Sequence, residues 1–90
     1  MQNNALIRPN DTVLHKPSGE MWVVCGVDYE HDDLIPCGYP FPTLAKISDC
    51  ELVEDGYIKR GQSKDMIVAL KKHGLTRFID VKSALFEGEL

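Results

Sequence analysis

The stretch Thr12-Val13-Leu14-His15-Lys16-Pro17-Ser18-Gly19-Glu20-Met21-Trp22-Val23-Val24-Cys25-Gly26-Val27 decides the fold. Thr12 to His15 is built of β-forming residues, Lys16 to Gly19 puts Pro and Gly at turn positions, and Met21 to Val27 is the longest apolar run. Together they predict a β-hairpin. The second strand is apolar on both faces, with Met21, Val23, Cys25 and Val27 on one and Trp22 and Val24 with Gly26 on the other. A half-solvated strand would alternate with polar residues, so the pattern predicts cover on both sides.

Residues 1 to 10 read as an N-terminal arm anchored by Leu6 and Ile7. After the acidic loop Asp28 to Asp33 comes Leu34-Ile35-Pro36-Cys37, where the Pro confines the piece to a sheet edge or a strand end. Gly38-Tyr39-Pro40-Phe41-Pro42 is a rigid aromatic turn, and Thr43 to Ile47 and Glu51 to Glu54 are two further short strands. Four or five short strands at this spacing predict a small antiparallel β-barrel over residues 11 to 54. The pattern changes at Asp55-Gly56. Ser63 is placed to cap a helix, Asp65 stands in its first turn, Lys71, Lys72 and His73 stand in its last, and Gly74 follows. Met66, Ile67 and Leu70 form one apolar stripe, a natural cover for the exposed side of the second strand or for the open end of the barrel. Beyond it, Thr76 is read as the cap of a short second helix carrying Phe78, Ile79, Leu85 and Phe86. The expectation is one α+β domain over residues 11 to 90, with residues 62 to 90 as a C-terminal helical extension.

The chain has 90 residues, 43% hydrophobic and 27% charged, with a net charge of −4. That is enough for one domain, and the composition argues against collagen, coiled coil or wholesale disorder. No stretch reaches the roughly 20 apolar residues that span a bilayer, and Met1 to Pro9 has no basic leader, so a soluble cytoplasmic chain is expected. Three cysteines, Cys25, Cys37 and Cys50, make an odd set in such a chain and are read as reduced thiols. Residues 1 to 57 hold three basic against ten acidic side chains, a charge of −7, while residues 58 to 90 hold seven against four, a charge of +3. An acidic body carries a basic tail.

Chemistry-bearing patterns mostly exclude. Cys25, Cys37, Cys50 and His31 could make a Cys3His zinc set, but no Cys-x2-4-Cys knuckle is present, so neither metal nor cofactor is expected. Cys37 with His15, His31 or His73 has the residue types of a hydrolase without its local signature, and the glycines are too scattered for a phosphate loop, so no catalytic residue is assigned. Asp28, Glu30, Asp32 and Asp33 lack the central Gly and closing Glu of a calcium loop and read as a solvated hairpin loop.

The run Asp11-Thr-Val-Leu-His15-Lys-Pro17-Ser-Gly19-Glu20-Met-Trp22-Val-Val24, with Cys37-Gly38-Tyr39-Pro40 and Ser48-Asp49-Cys50-Glu51-Leu52-Val53-Glu54, resembles a group of short uncharacterised bacterial and prophage-associated proteins. Those proteins open on the same hairpin and are similar in layout to small SH3-like barrels, often with Trp where this chain has Tyr39. The likeness covers residues 11 to 54. It implies an SH3-like fold and a mobile-element setting, and no reaction.

Three functions are weighed. The first is a non-catalytic module recognising a protein or peptide partner through Tyr39 and Phe41, with Trp22 and Tyr29. The alternative is a nucleic-acid-associated accessory protein using Lys59, Arg60, Lys71, Lys72 and Arg77, against which the net acidity and Asp80 count. The third is an acidic decoy built on Asp28 to Asp33.

Overall fold

Strands β1 (Thr12–His15) and β2 (Glu20–Asp28) form the expected hairpin, with Leu14 opposite Met21 and Val13 opposite Trp22. The structure is a computed structural model and describes residues 6–38, 41–54 and 62–79. β2 is long enough to serve two half-sheets: its first half pairs with β1 and its second with β3 (Asp33–Pro36). β4 (Ala45–Lys46) follows β3, a 3-10 turn at Ile47–Asp49 turns the chain, and β5 (Cys50–Glu54) returns to pair with β1. The result is an open, antiparallel five-stranded sheet in the order β4-β3-β2-β1-β5. Pro36 sits at the end of its strand, where it costs the ladder least. Helix α1 (Lys64–Lys72) and a second 3-10 turn (Thr76–Phe78) complete the α+β fold.

Two apolar clusters lie on opposite faces of the sheet. The first joins Ile7, Val13, Trp22, Val24, Leu34 and Ile47; the second joins Cys25, Ile35, Leu70 and Phe78. Leu34 and Ile35 are neighbours on β3, and the pleat sends one to each cluster. Of the arm, Ile7 is the anchor and Leu6 is exposed.

The expected cover of β2 on both faces holds only for its second half. Met21 and Val23 are 58% and 43% exposed, whereas Cys25 is buried. The cause is the reach of the cover: Leu70 and Phe78 pack on Cys25 and Ile35 and leave Met21 and Val23 open, and a bulge between Val24 and Gly26 makes Cys25 an extra residue on β2. It shifts the alternation by one. Val27, expected beside Met21, Val23 and Cys25, packs with Trp22 and Val24 instead, and Gly26 turns to the face of the second cluster.

That face is covered by α1. Ser63 accepts the Met66 amide hydrogen as N-cap, Ile67 and Leu70 are buried, Met66 packs beside them, and Gly74 ends the helix in the left-handed region at φ 71°. Burying Ile67, Leu70 and Phe78 contributes about 1.5–3 kcal/mol each. The second helix expected from Thr76 does not start there. Thr76 makes no cap bond, the turn lasts three residues, and Ile79 is extended, because Phe78 is drawn into the cluster under β2. The continuation expected through Leu85 and Phe86 lies outside the described residues.

Candidate functional site

The hairpin tip is held by a closed polar network. His15 stacks on Trp22 with ring centroids 4.0 Å apart and meets Ser18 Oγ through Nδ1 at 2.7 Å. Ser18 Oγ accepts the Glu20 amide hydrogen at 3.2 Å, and the Glu20 carboxylate accepts from the Trp22 indole at 3.2 Å. His15, Ser18, Glu20 and Trp22 therefore form one circuit around the turn. The Ser–His contact has the residue types of a nucleophile and base, but Ser18 is occupied in closing the turn.

The expected aromatic surface is dispersed. Trp22 is a core residue. Tyr29 clamps the arm, its hydroxyl accepting from the Ile7 amide at 2.7 Å and donating to the Ile7 carbonyl at 2.8 Å, and burial pushes its pKa up. Phe41 packs against the second cluster and meets His73 edge-on at 5.0 Å. Tyr39 lies outside the described residues.

The basic set is likewise divided. Lys59 and Arg60 lie outside the described residues. Lys71 and Lys72 are exposed at the C-terminal end of α1, where cations complement the helix dipole. Arg77 is paired with Asp28 at 2.6 Å and Asp33 at 2.9 Å. Its guanidinium, and secondarily His31, holds the Asp28 carboxyl below the usual aspartate range. Asp32 takes both the amide and the hydroxyl of Ser48. Three carboxylates of the acidic loop thus bind other parts of the chain.

Donor atoms of Asp28, Glu30 and His31 lie within 4.8 Å of one another, but Asp28 already serves Arg77 and His31. The cysteines do not converge: Cys25 and Cys37 pack in the second cluster, while Cys50 packs against the first, donates to the Lys46 carbonyl and is pushed by burial up to about 11. An open cleft lined by His15, Pro17, Asp33, Leu44, Lys46 and Asp49 contains no cysteine. Cys37 in the second cluster and His15 stacked on Trp22 of the first lie on opposite sides of the sheet.

A different surface emerges on the outer face of β1, β2 and β5. Register aligns Glu51, Leu14 and Met21 in one row and Glu54, Thr12 and Val23 in the next. Met21, Val23 and Val53 are exposed, so an apolar field is flanked on the β5 side by two carboxylates. The same residues looked like half of a two-sided strand in sequence. The four-residue turn, which sets Leu14 opposite Met21, was the available signal for this face. No helix among the described residues is long and apolar enough to cross a membrane. Compared with known protein families, curated proteins and solved structures, the chain matches none.

Proposed function

We propose that the chain is a non-catalytic binding module, a partly open SH3-like barrel of the bacterial, mobile-element-associated kind that its hairpin motif resembles, acting in the cytoplasm. Its partner is a protein presenting an amphipathic helix with an apolar stripe and a Lys/Arg flank. The observation that carries this reading is the field of exposed Met21 and Val23 with half-buried Leu14 beside Glu51 and Glu54. Its chemistry continues an arrangement the molecule already contains. On the other half of the same sheet, α1 lays Met66 and Leu70 against the cluster of Cys25 on β2 and Ile35 on β3 and keeps Lys71 and Lys72 outside. A twisted sheet whose two half-faces are both apolar is completed by a second helix, and the acidic flank selects a basic one. Met21 adds a side chain that adapts to the incoming surface. Arg77 is engaged by Asp28 and Asp33, which removes one cation of the candidate basic set from a phosphate backbone and counts toward protein over nucleic acid.

Two synthetic helical peptides test this, sharing a Leu stripe and differing in a Lys or a Glu flank. The Lys peptide is expected to shift the backbone amide resonances of Leu14, Met21, Val23 and Glu51, and the Met21→Glu, Val23→Glu double variant to bind it at least about tenfold more weakly. Shifts from neither peptide, or shifts centred on Phe41, would overturn the proposal. So would a dimer split by Met21→Glu, which gives the face to a second copy. A loss of more than about 1 kcal/mol of stability in the free Met21→Glu variant would overturn it too, because an open surface position tolerates such a change.

A further inference from the structure

We infer that Cys25 and Cys37 are a dithiol site that closes reversibly to a disulfide across β2 and β3 on reaction with a small-molecule disulfide. The placement follows from the bulge. Val24 pairs with Pro36, and the Cys37 amide hydrogen bonds the Val23 carbonyl at 2.8 Å, so Cys37 stands beside the β2 segment that carries Cys25. Regular alternation puts Cys25 on the same face as Val23, and both cysteines pack in the second cluster, on the side that α1 covers. Cys37 stands across from Val23, two residues from Cys25 along β2, which makes the two cysteines diagonal neighbours across the ladder. Cys50 is excluded from the pair because the sheet lies between the two clusters.

The two sulfurs divide the work. Cys25 is 2% exposed, whereas Cys37 is only half-buried and meets solvent. Cys37 favours ionisation of Cys25, while Cys25 and burial oppose ionisation of Cys37, so the first charge to form lies on Cys25. That negative charge is the nucleophile in thiol–disulfide exchange. The Cys37 proton passes to the Cys25 sulfur, and the accessible Cys37 thiolate attacks a disulfide R–S–S–R, releasing one R–S⁻ and leaving a mixed disulfide. The Cys25 sulfur then attacks the Cys37 sulfur and expels the second R–S⁻. The two thiol protons end on the released thiols, the protein loses two electrons, and the reagent is reduced to two R–SH. The bond formed would fasten the segment leading to Phe41, which packs on α1 through His73, to the bulge of β2.

The test uses the folded full chain with oxidised glutathione as the probe. Wild type and Cys50→Ser are expected to lose the mass of two hydrogen atoms, to yield a peptide linking Cys25 to Cys37, and to recover both thiols in dithiothreitol. Cys37→Ser is expected to form no internal bond. A glutathione adduct that persists on Cys37 while Cys25 remains open to alkylation after unfolding would overturn the assignment. A linkage through Cys50, or three unreacted thiols in the native protein, would do the same. Should Cys37→Ser fail to fold, linkage mapping of wild type and Cys50→Ser decides the question alone.

Discussion

Gln62 and Gly26 show how one residue identity can be fixed by a distant neighbour. The bulge makes Cys25 an extra residue in the β2–β3 ladder, and the buried Gln62 amide takes its carbonyl at 3.1 Å while also donating to Phe78 O at 2.7 Å. This close approach leaves no room at Gly26, where an added Cβ would stand 2.9 Å from Phe78 Cβ and 3.0 Å from its carbonyl oxygen. Gly26→Ala is therefore expected to destabilise by about 1–3 kcal/mol through forced displacement of Phe78. Gln62→Leu is expected to cost a similar amount, about 1–3 kcal/mol, by leaving buried carbonyls without a donor. Urea denaturation measures both, and an unchanged Gly26→Ala midpoint would show that the Phe78 turn moves freely. None of this was legible in the sequence. Gly26 read as one more strand residue, and its contacts depend on Gln62 and Phe78, which lie in a different part of the chain.

At the scale of elements, what could be read was what local chemistry determines. The hairpin was legible because Lys16 to Gly19 sets its turn, and α1 because Ser63, Asp65, Lys71 and Gly74 mark its ends. The face each half of β2 presents was not, because the isolated Gly26 marks where a strand can bulge without saying which side chains change face. The candidate site moved for the same reason. Aromatics chosen for their turn positions became Trp22 in the core and Tyr29 on the arm, while Met21 and Val23 remained outside. The helix also separates local from packing contributions. Ser63→Ala removes only the acceptor for the Met66 amide and is expected to lower stability by about 1 kcal/mol. Leu70→Ala empties a fully buried position under β2 and β3 and is expected to cost about 2–5 kcal/mol. Thermal unfolding followed by circular dichroism gives both. Equal effects would mean that α1 rests on its own end rather than on the second cluster.

Across the whole molecule, the acidic body and basic tail seen in the sequence meet where Arg77 bridges Asp28 and Asp33 at the two ends of the acidic loop. Arg77 immediately precedes Phe78, so the ion pairs and the second cluster hold the same turn against β2. A charge role and a packing role can be separated by pH. Asp28 ionises below its ordinary value, first because of Arg77 and then because of His31. A carboxylate depressed in the folded state stabilises fully above its unfolded pKa, about 4, and loses that contribution as pH falls through the folded value. Wild type is therefore expected to be more stable than Arg77→Gln at neutral pH, with the gap narrowing as pH falls below about 4 and through the depressed folded value. Added salt at neutral pH narrows it in the same direction, because Arg77 is partly exposed. Urea titrations of both proteins at several pH values give the gap directly. A gap that stays constant from neutral to acid pH would assign Arg77 to its other contact, the guanidinium carbon 4.5 Å from the centre of the Phe78 ring, and not to its charge on the acidic loop.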